Sequence, residues 1–153
     1  MVLDNTQAAK IIETMLQAVR HCQVLGLELV SINNGKLILK LPYSEDIVGN
    51  PDTGVIHGGA LTSLMDTACG FVVPISLKEM EICPTLDLRI DYMTAAQPHL
   101  PVFGCSEVYR VTENIVFSRG IAYQQDIDKP IAHCVATFMR LPKNIQDSKQ
   151  EVR

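Results

Sequence analysis

Hydrophobic positions change period several times along the chain, and each change marks an element. Between Gln7 and Arg20, Ala8, Ile12, Met15 or Leu16, and Val19 recur at three- and four-residue steps. That spacing puts them on one buried face of a helix, with Asn5 or Thr6 placed to cap its start. From Leu27 the period drops: Leu27, Leu29 and Ser31 alternate with Val30 and Ile32. Asn34-Gly35 interrupts, and then Leu37, Leu39 and Leu41 alternate with Lys36, Ile38 and Lys40. An Asn-Gly pair between two such runs predicts a tight hairpin, because that turn needs two residues that accept positive φ. Pro42 closes it.

Tyr43 to Ile56 is rich in Gly, Asn, Asp and Pro and reads as a loop. Helical spacing returns at His57 and runs to about Val73, where Pro74 is expected to end or kink the helix. Long alternating strands follow. Leu86, Leu88, Ile90 and Tyr92 are expected on one face, with Thr85, Asp87, Arg89 and Asp91 on the other. Further strands are predicted over Val102 to Thr112, Ile115 to Gln125 and Ile131 to Leu141, with a turn from Asp126 to Pro130. Pro42, Pro98, Pro101 and Pro142 fall at element edges, where a sheet tolerates them. The order helix, two strands, helix, four strands predicts an α+β fold with an antiparallel sheet. It is read as a single domain over 1–153, with its core over about 20–142 and a polar, frayed tail over 143–153.

Composition narrows the classes. Of 153 residues, 47% are hydrophobic and 20% charged, an ordinary globular balance. Net charge is −4 with no basic stripe, which argues against nucleic acid as a partner. The longest apolar run, around Ala68 to Leu77, contains Pro74 and falls short of the ~20 residues of a membrane span. Met1 to Lys10 lacks the basic-then-apolar pattern of a secretory leader. The five cysteines are odd in number, widely spaced and without a C-x-x-C pair. Neither a disulfide framework nor a zinc site is expected, and reduced thiols in a cytoplasmic protein are.

The chemistry concentrates between Asn50 and Asp66. Gly58-Gly59 stands at the loop-to-helix junction, so backbone N–H groups there are not covered by side chains. A helix start with free donors favours an anion or a polarised carbonyl oxygen. Along the helix, Leu61, Met65, Ala68 and Val72 form one apolar stripe, and Ala60, Leu64, Phe71 and Ile75 form another. Between them runs a narrow stripe of Gly59, Thr62 or Ser63, Asp66 and Gly70. A carboxylate in so apolar a helix is paired, hydrated or functional. Taken singly, each residue has a plainer reading. Asp66 fits a surface acid, His57 a cap, Gly58-Gly59 a loop end, and Asn50 a turn residue.

The ordered set His57-Gly58-Gly59, Asp66, then Thr85 to Met93, resembles the hotdog-fold acyl-CoA thioesterases of the phenylacetate-degradation (PaaI-like) type. The likeness covers about residues 20–142. It implies an antiparallel sheet wrapped around a long central helix, with an N-terminal helix. It implies Asp66 as the catalytic carboxylate, acting as nucleophile or as general base. The Gly58 amide then binds the thioester oxygen, Asn50 orients water or the thioester, and His57 positions the loop. The same resemblance puts the Thr85 hydroxyl near the attacking water. Tyr92, Met93, Thr94 and the turn at Asn114 would touch the pantetheine arm, with Gly59 beside the substrate. No metal is implied, and no cofactor apart from the coenzyme A of the substrate.

Spacing adds an independent constraint. Gly58 and Asp66 lie eight residues apart on one helix, which is ~12 Å at 1.5 Å per residue. Both must come within ~3 Å of the same reacting atoms. A two-fold dimer with antiparallel central helices brings Gly58 of one chain opposite Asp66 of the other. The expected partners are therefore an acyl-CoA and a second copy, as a homodimer or a dimer of dimers. Two other functions stay open: a hydratase or dehydratase of acyl thioesters, and a non-catalytic acyl-CoA-binding module. The acyl chain is not specified. Arg89, Arg110 and Arg119 suit either CoA phosphates or a solvated sheet face.

Overall fold

A computed structural model describes residues 4–78 and 80–141. The tail predicted over 143–153, and Pro142 before it, lie outside the described residues. The chain opens with helix α1, Asn5–Ala18, which buries Ala8, Ile12 and Leu16 as the spacing predicts. Its cap is Asp4 rather than Asn5 or Thr6. The Asp4 carboxylate accepts from the Gln7 N–H at 2.8 Å, and the Gln7 side chain accepts from the Asp4 N–H at 3.2 Å. This reciprocal pair satisfies two otherwise free donors. Val19 breaks the helix, and a short helix α2, Arg20–Leu25, follows until Gly26 ends it at φ 65°. One turn and a half carries too few apolar positions to show a period, so α2 is not visible in the sequence.

Strands β1, Glu28–Asn33, and β2, Lys36–Leu41, form the predicted hairpin. Asn34 and Gly35 adopt φ of 50° and 74° at its turn. Within the segment read as loop, a turn of 3-10 helix at Glu45–Ile47 precedes two short paired strands, β3, Val48–Asn50, and β4, Val55–Ile56. Helix α3 spans Gly58–Leu77. The remaining strands are β5, Thr85–Tyr92; β6, Val102–Val111; β7, Ile115–Tyr123; and β8, Ala132–Met139. The main sheet is antiparallel throughout in the order β1-β2-β6-β7-β8-β5. One face packs on α3, giving the hotdog arrangement.

α3 does not stop at Pro74. Proline removes one backbone bond from the helix, but Pro74 is itself buried and Ile75 and Leu77 beyond it pack on the core. The uninterrupted helix is long and apolar enough to cross a membrane by length and composition, with mean hydropathy 1.5. That corrects the expectation that no apolar segment reaches such a length. Half of the window is buried within the chain, where Leu64, Met65, Ala68, Cys69, Val72 and Val73 have no exposed surface. The sheet comes close beneath them. A Cβ on Gly120 of β7 would lie 2.7 Å from both the Cys105 carbonyl and the Met65 methyl. All five cysteines are free.

β5 departs from simple alternation in a way that matters for the site. Thr85 pairs with Phe138 while Asp87 pairs with Thr137, so Leu86 is a bulge. Residues directly opposite share a face. Thr85 therefore faces α3 together with Leu88, Ile90 and Tyr92, which lie opposite Ala136, Cys134 and Ala132. The expected grouping of Thr85 with Asp87, Arg89 and Asp91 is overturned, and Leu86 turns outward, 48% exposed.

Candidate active site

The entry to α3 is fixed from both sides of the Gly58–Gly59 peptide. His57 has extended backbone and donates its own N–H to the Ile47 carbonyl at 2.8 Å. Its Nδ1 accepts the Gly59 N–H at 2.9 Å, and its carbonyl accepts the Ala60 N–H at 3.0 Å. His57 is thus the helix cap. A Cβ on Gly59 would sit 2.9 Å from that Nδ1, so a side chain there would push the ring off its bond. The Gly58 carbonyl accepts the Tyr92 hydroxyl at 2.7 Å and the Thr62 hydroxyl at 3.1 Å. Those two hydroxyls are 2.7 Å apart. Among the described residues, the Gly58 N–H makes no hydrogen bond within the chain. It is a free donor at the positive end of a 20-residue helix.

Two turns further on, Asp66 is half-buried and faces β5. Its Oδ1 accepts the Thr85 hydroxyl at 3.0 Å. The Leu86 bulge is what aims that hydroxyl inward. The structure thus brings Asp66 and Thr85 together, and among the described residues Oδ2 of Asp66 has no hydrogen-bond partner. The stripe expected to be small or polar is real: Gly59 is exposed and Thr62, Ser63, Asp66 and Gly70 are half-buried, beside fully covered neighbours.

The candidate residues fall into two groups at opposite ends of β5. The donor end holds His57, Gly58, Gly59, Tyr92, Met93 and Thr94. Met93 and Thr94 donate their N–H groups to the Ile131 carbonyl at 2.9 and 3.3 Å. The carboxylate end holds Asp66 and Thr85. It shares that end of the sheet with Asn114, whose carbonyl accepts the Arg140 N–H at 2.8 Å. An eight-residue strand separates the ends by ~25 Å of backbone. Tyr92 to Thr94 and Asn114, all assigned to one pantetheine arm, are therefore not brought together within one chain. Asn50 ends β3, and its side chain accepts the Asp52 N–H at 3.0 Å, closing its own turn.

Sequence reasoning missed Thr62 as a partner of Gly58, although it stands four residues on, where a helical hydroxyl reaches back to the carbonyl. It also missed His21 of α2, whose ring nitrogen lies 2.9 Å from the Ser63 hydroxyl. A cavity of about 320 Å³ opens there beside the donor end, between His21, Leu25, Ile47, Val48, His57 and Gly59. Two of the candidate arginines are paired on the sheet, Arg89 with Asp91 at 3.0 Å and Arg119 with Glu107 at 2.7 Å. Four of the five thiols are held above their ordinary range. A hydrogen bond to Cys134, then burial, holds the Cys69 thiol well above its ordinary range. Burial raises those of Cys22 and Cys105, and raises Cys83 to about 11.

The thioesterase superfamily profile matches residues 53–131, and the chain belongs to that superfamily. It is 27% identical to a medium/long-chain acyl-CoA thioesterase, YigI, of Salmonella typhimurium, over 90% of this chain and 97% of that protein. It is 29% identical to a Halobacterium salinarum protein named as an esterase, over 63% of this chain and 66% of that protein. A Pseudomonas aeruginosa crystal structure, 54% identical, covers 88% of this chain and 99% of its own with a TM-score of 0.81. The PaaI protein of the Escherichia coli phenylacetic acid degradation operon, at 17% identity, shares the fold with a TM-score of 0.78 over 90% and 96% of the two chains.

Proposed function

We propose that this protein hydrolyses an acyl-CoA to a free carboxylic acid and CoA, at a site completed by two copies of the chain. The observation that carries this reading is the separation of the two half-sites along β5. A carbonyl donor and an attacking carboxylate serve one reaction only if they meet. β5 is also an edge strand of eight residues, and an edge that long invites pairing with another copy. Two-fold antiparallel pairing of β5 would lay the Thr85 end of one chain against the Tyr92 end of the other. Gly58 of one chain would then face Asp66 of the other, giving two sites per dimer.

In that site the thioester oxygen takes the Gly58 N–H, and Oδ2 of Asp66 removes a proton from water as the water oxygen bonds to the thioester carbon. The resulting oxyanion stays on the Gly58 donor and the helix dipole, an effect worth ~2.7–4 kcal/mol per donor in well-studied sites. Collapse breaks the carbon–sulfur bond, and the CoA thiolate leaves with the proton. Direct attack by Asp66, through an anhydride that water then opens, would use the same groups. The Thr85 bond to Oδ1 favours the water route, because it occupies one carboxylate oxygen and leaves the other as a base. The reaction needs no metal or further cofactor, and the assembly is a homodimer or a pair of homodimers.

The test is thiol release from short, medium, long and aryl-acetyl CoA thioesters, followed with a thiol-reactive dye. Burial of Cys22, Cys69, Cys105 and Cys134 limits the background from the protein's own thiols. The expected result is CoA release that Asp66→Asn lowers by about 10²-fold or more at unchanged melting temperature. Retention of over half the rate in that variant, or no release by folded dimer from any substrate, would overturn the reading. The second result would turn attention to a binding module or a carrier-protein thioester.

A further inference from the structure

We infer that Tyr92, with Thr62, is a positioning residue that sets the direction of the Gly58 N–H donor. The inference rests on the thioesterase reading and adds a role that the sequence did not suggest. There, Tyr92 was expected to touch substrate. Its hydroxyl is instead directed at the Gly58 carbonyl at 2.7 Å and at the Thr62 hydroxyl at 2.7 Å.

Two consecutive glycines give the donor its access, and they are also the least self-restrained way to begin a helix. Neither glycine has a side chain of its own to hold its peptide plane. The structure replaces that missing restraint with hydrogen bonds on all the neighbouring polar groups. The Gly59 N–H goes to His57 Nδ1 at 2.9 Å, and the Gly58 carbonyl goes to Tyr92 and Thr62. The preceding peptide is anchored through its own carbonyl, which accepts the Ala60 N–H at 3.0 Å. That carbonyl and the Gly58 N–H belong to one amide, so the bond to one end also polarises the other. The unused donor is bracketed by tied groups.

Of these ties, only Tyr92 comes from outside α3 and its entry. It reaches across from β5, the same strand that holds Asp66 through Thr85. The contact is close: a Cβ added to Gly58 would lie 3.3 Å from the Tyr92 hydroxyl oxygen. Small errors in aim matter here, since a displacement of ~1 Å at a reacting centre lowers rates by ~10²-fold.

The experiment compares Tyr92→Phe, Thr62→Val and Thr62→Ser in the full chain. Each is assayed for kcat and KM on the best acyl-CoA and for affinity to two inert analogues. In one, a methylene replaces the thioester sulfur and the carbonyl is kept; in the other, a thioether, the carbonyl oxygen is gone. Tyr92→Phe is expected to lower kcat about tenfold with KM within about twofold, the pattern of an interaction made in the transition state. It should weaken the ketone analogue several-fold and leave the thioether within about twofold. Thr62→Val should act in the same direction and more weakly, and Thr62→Ser should restore the rate. Equal weakening of both analogues, or an unchanged kcat in Tyr92→Phe, would overturn the inference and return Tyr92 to a general substrate contact. Wild-type protein that releases no CoA would count against the thioesterase reading alone. The ratio of the two analogue affinities still reads the donor in that case.

Discussion

The two ends of β5 are built on opposite plans. At the Tyr92 end the group the proposed reaction uses is a backbone N–H, and its neighbours are all tied: His57, Gly59, Thr62 and Tyr92 bond to one another or to the peptides beside it. At the Thr85 end the group it uses is a side-chain carboxylate held by one hydroxyl, with its other oxygen without a partner among the described residues. A donor that only receives an oxyanion gains from being immobile. A base that takes up a proton and passes it on gains from keeping an unpaired oxygen and some freedom. The contrast says that the fold spends its rigidity on the donor.

The largest way to break this comparison is to inactivate each end in a different chain. Gly58→Pro removes the N–H at the first helical position, where proline is tolerated and where His57 already has the extended backbone that must precede it. Alone it should lower kcat by about 10²–10³-fold. Asp66→Asn inactivates the other end. Subunits of the two kinds, unfolded together and refolded in equal amounts, should recover about a quarter of wild-type activity. Half the dimers are then mixed, and each has one intact site of two. No recovery would place the whole site within a single chain.

A smaller effect is expected at Thr85. Thr85→Val keeps the shape and removes the hydroxyl, so kcat should fall roughly tenfold, while Thr85→Ser should retain most of the rate. A wild-type rate in Thr85→Val would mean that the carboxylate needs no positioning. The smallest effect belongs to His57. His57→Ala removes the cap, and stability should fall by about 1 kcal/mol in urea denaturation. A lost rate with unchanged stability would instead assign His57 a chemical role.

Much of this arrangement was legible in the sequence because it rests on period and on turn chemistry. The Asn34-Gly35 hairpin, the Gly58-Gly59 entry and the eight-residue spacing to Asp66 are all local signals. The elements that escaped were short or carried residues that normally end an element. α2 is too brief to show a period, β3 and β4 sit within a run of turn residues, and Pro74 is absorbed because core contacts beyond it outweigh one lost bond. The role of Tyr92 was hidden for a different reason. It depends on which strand lies beside the start of α3, and strand order is set by the whole sheet.

The Leu86 bulge carries a consequence for how this strand can change length. Thr85 and Tyr92 are seven positions apart, an odd number, so on a regular strand they would point to opposite sides. The extra residue restores matching parity. Leu86 is thus a spare: its deletion would leave a regular strand with both hydroxyls still inward. With the bulge kept, a single-residue insertion or deletion from Asp87 to Asp91 would turn one of them away. In descent, then, the strand is free to lose one residue so long as the bulge goes with it, and is held to its length while the bulge stays.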